Sequence, residues 1–129
     1  MRRGKKELVR THRDLEIYQI AFDLAMRVFE LSKKLPMEER YSLTDQMRRS
    51  SRSAATNITE GWRKRRYRAA FISKLSDSET EAAETQTWLE FCVHCKYLSR
   101  DEVADVYKTY NILLAKTVTM INNPKPWLV

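Results

Sequence analysis

Two glycines and three prolines in 129 residues leave little material for tight turns. A β-sandwich or barrel reverses its chain many times and draws on those residues at each reversal, so an all-β fold is excluded. The length suits one domain with a real core. Intrinsic disorder is excluded as well, because 43% of the residues are hydrophobic and 10% aromatic. No apolar run exceeds four residues, so the sequence reads as neither membrane-spanning nor exported. Cys92 and Cys95 make no disulfide framework and suit a reducing, cytoplasmic setting.

The apolar residues recur with helical period. After a charged arm at residues 1–13, Leu15, Tyr18, Phe22, Ala25, Val28/Phe29 and Leu35 predict an amphipathic helix from Asp14 to just before Pro36. Ser42 is placed to cap a second helix over about 42–62, whose Leu43, Met47, Ser50, Ala54, Ile58 and Gly61 fall in one sector of about 80°. So many small residues on one face let a partner helix approach closely. Phe71, Leu75, Ser78, Ala82, Thr85, Leu89 and Cys92 predict a third helix running to about Tyr97. Ser99-Arg100-Asp101-Glu102 fits the capping box that opens a helix. Behind it Val103, Val106/Tyr107, Tyr110, Leu113/Leu114, Thr117 and Ile121 form a fourth helix, ended by Asn122-Asn123-Pro124. Short connections make sequential helices antiparallel neighbours. The expectation is an all-α, up-down-up-down four-helix bundle over residues 14–122, with a basic arm at 1–13 and a tail at 123–129.

Charge is distributed unevenly along this frame. Residues 1–13 carry a net +5 and residues 48–68 a net +7, whereas 14–47 and 69–129 carry −3 and −2. In an up-down bundle the N-terminus, the turn after the second helix and the C-terminus share one end. Arg2, Arg3, Lys5 and Lys6 of the arm should therefore converge with Arg63, Lys64, Arg65, Arg66 and Arg68. The opposite end, holding Glu38, Glu39, Asp101 and Glu102, should be acidic. Five cations within six residues, flanked by Trp62 and Tyr67, suit phosphates and unpaired bases, so RNA or DNA is the expected partner. An acidic protein partner or a purely solvated surface are the competing readings. Arg48, Arg49 and Arg52 come level with Asp77, Glu79 and Glu81 and are expected to pair with them.

Catalytic readings are weaker. Cys92-Val93-His94-Cys95 offers too few ligands for a tetrahedral metal, and Cys92 lies on the buried stripe. Glu81-x-x-Glu84 and Glu102-x-x-Asp105 resemble the paired carboxylates with which all-α nucleoside triphosphate pyrophosphohydrolases hold Mg²⁺. Here the two pairs sit about 23 Å and 8 Å from the turn that joins their helices. A mismatch of roughly 15 Å is too wide for shared metal ligands at about 2.1 Å. No catalytic residue, metal or cofactor is expected.

The segment LTDQMRRSSRSAATNITEG, Leu43 to Gly61, resembles the signature of the 23S ribosomal RNA intervening-sequence protein family. Asp14 to Ala21 resembles that family's opening helix, Pro36-x-x-Glu39 its first connection, and Glu81 to Leu89 its acidic third helix. The resemblance spans about residues 14–122, and Gln46, Arg49, Asn57, Glu60 and Gly61 match motif positions. Two departures stand out: Asp77-Ser78 where Gly-Ser is frequent, and a more basic turn after Gly61. The resemblance implies a small bundle that assembles into a homo-oligomeric ring, typically a pentamer. It further implies a link to sequences interrupting ribosomal RNA genes, or an accessory role beside a reverse transcriptase, with no catalytic residues. Asn57 and Glu60 would hydrogen-bond across helices or between subunits.

Overall fold

The computed structural model describes residues 9–129, so Arg2, Arg3, Lys5 and Lys6 lie outside the described residues. Four α-helices account for most of the chain: α1 (Glu16–Ser32), α2 (Leu43–Arg63), α3 (Arg68–His94) and α4 (Arg100–Asn122). Among the described residues there is no strand; single 3-10 turns occur at His12–Asp14, Met37–Glu39 and Lys125–Trp127. None of the helices is long and apolar enough to cross a membrane.

Helix ends follow local chemistry. The capping box at α4 forms as expected: the Ser99 hydroxyl accepts the Glu102 N–H, and the Glu102 carboxylate accepts the Ser99 N–H. Ser42 does not cap α2 in the same way. Its hydroxyl donates instead to Glu39, whose Oε1 also accepts the Leu43 N–H at 3.2 Å. The other Glu39 oxygen receives the Tyr97 hydroxyl at 2.8 Å, tying the first connection to the end of α3. Helix α3 stops at His94, short of Tyr97, because Lys96 turns left-handed (φ 64°) and the Tyr97 and Leu98 amides fold back onto the Cys92 carbonyl.

Hydrogen bonds from Ser42, Tyr97 and the Leu43 amide, in that order, hold the Glu39 carboxyl below its ordinary pKa of 4.5. A depressed carboxylate pKa contributes stability above the unfolded value and loses it as pH falls through the folded one. We therefore expect part of the acid destabilisation below pH 4.5 to vanish in Glu39→Gln, read as a flatter stability-versus-pH curve. An unchanged curve would mean that Glu39 carries none of that linkage.

The stripes of α2 and α3 are buried as their period predicts, with Met47, Ala54, Ile58, Phe71, Leu89 and Cys92 inaccessible to solvent. These two helices share the most extensive packing. Ser50 and Thr85 hydroxyls meet at 2.7 Å, and the Ser78 hydroxyl donates to the Ala54 carbonyl at 2.6 Å. Residue numbers rise along α2 as those of its α3 partners fall. Contacts from α1 to α4 progress likewise, with Glu16 on Lys116, Arg27 on Asp105 and Lys34 on Glu102.

Helix α1 differs from expectation in part: Leu15, Val28 and Leu35 are buried as predicted, but the helix is rotated at Tyr18, Phe22 and Ala25. Its buried stripe is Ile17, Ala21, Leu24 and Val28, one position away from the stripe of larger residues. Tyr18, Phe22, Ala25 and Phe29 instead line an open groove of about 530 Å³ against Ala55, Thr56 and Thr59 of α2. Phe22 is 51% and Met26 49% exposed there. Arg48 and Arg52 stand over the Phe29 ring, and the Arg48 Nε donates to Ser32 at 2.7 Å. The expected pairing of Arg48, Arg49 and Arg52 with Asp77, Glu79 and Glu81 is thus corrected: two of these arginines lean on α1. Among the described residues Arg49 pairs with Asp45 alone, at 3.8 Å on its own helix.

Candidate nucleic-acid interface

Two long helices deliver the basic block. The last turn of α2 ends at Arg63, where the Lys64 amide closes on the Gly61 carbonyl, and α3 begins at Arg68 after the extended residue Tyr67. The four-residue turn between them leaves no room for its long cationic side chains inside. Arg63, Lys64, Arg66 and Arg68 are exposed and Arg65 is half-buried. None of the five is ion-paired among the described residues. The start of α3 adds to the positive field, because it has no side-chain cap and no acid in its first turn.

The two aromatic residues of the block have opposite fates. Trp62 is only 4% exposed, and the Arg65 guanidinium carbon lies 3.5 Å from its ring centroid, so the indole is no free stacking surface. That part of the sequence reading is corrected. Trp62 follows Ile58 by four residues and shares the buried side of α2, which is the signal that would have placed it. Tyr67 is 62% exposed. The Arg65 Nε donates to the Trp62 carbonyl at 2.8 Å, which pins the guanidinium over the indole. Burial there, and then the Arg63 charge, lower the Arg65 pKa from its ordinary value.

Other chain segments converge on this tip. Partial burial, Arg13 and then Arg63 lower the pKa of His12, so the end of the N-terminal arm lies near the block. The Val129 N–H reaches the Arg65 carbonyl at 3.4 Å, bringing the C-terminal tail to the same place. The far end is only weakly acidic. Lys33, Lys34, Arg40, Lys96 and Arg100 stand among Glu30, Glu38, Glu39, Asp101 and Glu102, and Lys34 pairs with Glu102. With Asp45 in the first turn of α2 that end carries six acids against five cations, so most of the asymmetry comes from the cationic tip.

The family-motif residues form a stripe on α2 beside α3. Glu60 pairs with Lys74 across the helices at 2.9 Å. The Asn57 amide donates within its own helix, to the Ser53 carbonyl and hydroxyl, so it does not bridge helices. Gln46 and Arg49 are exposed. At Gly61 a methyl group would stand 3.3 Å from the Lys74 Cβ, which explains the absence of a side chain where the helices close toward the tip.

The carboxylate pairs are not gathered into one centre. Asp105 faces Arg27 of α1, Glu102 is held by Ser99 and Lys34, and Glu81 is raised in pKa by burial and then by Glu84. Among the described residues no cluster of three or more potential metal ligands occurs. Cys92 is buried, and burial lifts its thiol pKa to about 12.

What fold and surface define is an all-helical protein with a cationic tip and an apolar groove on one flank. The chain belongs to the 23S rRNA-intervening sequence protein family, whose sequence model matches residues 13–119. A solved relative of the same fold is a protein of unknown function from the S23 ribosomal protein family of Bacteroides thetaiotaomicron VPI-5482. It is 27% identical, covers 81% of this chain and 97% of its own, and superposes with a TM-score of 0.74. No curated protein matches the sequence.

Proposed function

We propose that this chain is a non-enzymatic, cytoplasmic nucleic-acid-binding protein that assembles into a homo-oligomeric ring, a pentamer being favoured, of up-down-up-down four-helix bundles. The observation that carries the reading is the concentration of five cations without ion-pair partners, among the described residues, on one tip. Like charges crowded at one turn repel each other, and a polyanion relieves that repulsion while releasing its own counterions. The family's description as 23S rRNA-intervening sequence proteins favours RNA. The exposed Phe22 and Met26 groove supports self-association, since an apolar patch with a cationic rim is suited to burial against another protein surface. The same groove favours a second reading, docking of a protein partner such as a reverse transcriptase.

A ring would repeat the tip around its axis, turning several weak contacts into one avid surface. Light scattering with and without a ribosomal RNA fragment tests both halves together. The expected result is a particle of several 15.3-kDa chains that gains the mass of RNA, with affinity falling steeply as salt rises. Phe22→Asp combined with Met26→Asp should release monomers. Salt-insensitive binding would refute the cationic mode, and an intact oligomer in the double variant would refute the groove as its interface.

A further inference from the structure

We infer that the tip takes an unpaired nucleic-acid strand in preference to a duplex, with bases stacking on Tyr67 and on the Arg65 guanidinium while Arg63, Lys64, Arg66 and Arg68 hold the phosphates. The inference rests on the nucleic-acid reading above and names the class of ligand. Tyr67 is the first ground for it. Its backbone is extended (φ −119°, ψ 106°), its ring has no aromatic neighbour among the described residues, and cationic residues flank it on both sides in sequence. The ring makes no contribution to the core, yet it stands in the most hydrophilic turn of the chain.

Arg65 is the second ground. A guanidinium carbon 3.5 Å from the Trp62 centroid is in face-to-face contact, and the Nε bond to the Trp62 carbonyl fixes the plane in place. The indole covers one face of the guanidinium, and the half-buried Arg65 offers what remains of the other as a charged, pre-oriented platform. Unpaired bases stack on aromatic rings and on guanidinium planes alike. Paired bases have their faces covered by neighbours, so neither platform reaches them in a duplex.

Charge alone predicts the reverse preference. A duplex releases about 0.9 counterions per neutralised phosphate against about 0.7 for a single strand, so a purely electrostatic tip would hold the duplex at least as tightly. The sign of the preference thus separates stacking from charge.

Fluorescence anisotropy with a labelled, unstructured oligouridylate of about 16 nucleotides, and an RNA duplex of equal length, reads that sign. The wild-type protein should prefer the single strand by about tenfold, the scale of one stacked base. Tyr67→Ala should cut the preference several-fold by weakening single-strand binding, the remainder resting on Arg65, whereas Tyr67→Phe should retain it. Tyr67 is exposed, so neither change disturbs the core, and an unaltered helical circular dichroism spectrum verifies that. Equal or tighter duplex binding, or a preference undiminished by Tyr67→Ala, overturns the stacking inference and leaves the electrostatic reading standing. Failure of both probes to bind overturns the two together.

Discussion

Affinity for a single-stranded RNA at physiological salt should fall by about two orders of magnitude when Arg63, Lys64, Arg66 and Arg68 are all replaced by glutamine. Each phosphate contact on a single strand contributes about 0.7 to the slope of log affinity against log salt, so four lost contacts flatten that slope by about 3. The four residues are exposed and, among the described residues, unpaired, so the helices should keep their circular dichroism and melting behaviour. Arg65 is left in place because its removal would uncover Trp62 and confuse packing with binding. Glutamine at Arg48 and Arg52 is the informative control. Those arginines lie over Phe29 beside the groove, away from the tip, and should leave the salt slope intact. A slope unchanged by the fourfold variant would place the phosphate contacts elsewhere, most simply on the arm at Arg2, Arg3, Lys5 and Lys6.

What the sequence revealed of this fold depended on how uniquely each helix is amphipathic. In α2 polar residues flank a single apolar stripe, so period alone selects Met47, Ala54 and Ile58 for the core. Helix α3 carries apolar residues on other faces too, and there the three-and-four spacing of Phe71, Leu75 and Leu89 makes the choice. The α4 capping box is a four-residue interaction, legible because it is local. Helix α1 carries two neighbouring apolar stripes with equally good spacing. The sequence reading picks Tyr18 and Phe22 and leaves Val28 and Phe29 as alternatives, whereas the neighbouring helices accept Ile17, Ala21, Leu24 and Val28. That choice is set by the shape of distant segments and cannot be read locally. The site divides in the same manner. Counting chain reversals brings the basic block, the described end of the arm and the C-terminal tail together, as His12 beside Arg63 and Val129 on Arg65 illustrate. The partners of individual charges were not legible. Arg48 could reach Phe29 or the acids of α3 with equal ease on a helical wheel, and the rotation of α1 decides between them.

Ala54→Leu should be a highly damaging substitution in the α2–α3 seam, costing about 2–6 kcal/mol. Ala54 is wholly buried, and its carbonyl accepts the Ser78 hydroxyl at 2.6 Å, so the two backbones are close at that level. Added methylenes have no void to enter, and overpacking alone costs about 1–3 kcal/mol. Forcing the helices apart also strands the buried Ser78 hydroxyl, for about 1–3 kcal/mol more. Against a total stability of about 5–15 kcal/mol this is a large fraction, and the melting temperature should fall by roughly 10 °C or more. Ser78→Ala separates the two causes, because it removes the donor without adding bulk and should cost only about 1 kcal/mol. The seam also sets the spacing of the two helix ends that carry Arg63 and Arg68. Well below its melting point, Ala54→Leu should therefore weaken RNA binding although no residue at the tip has changed. A variant that melts with the wild type would show that α2 and α3 yield there without strain, and binding would then follow charge alone.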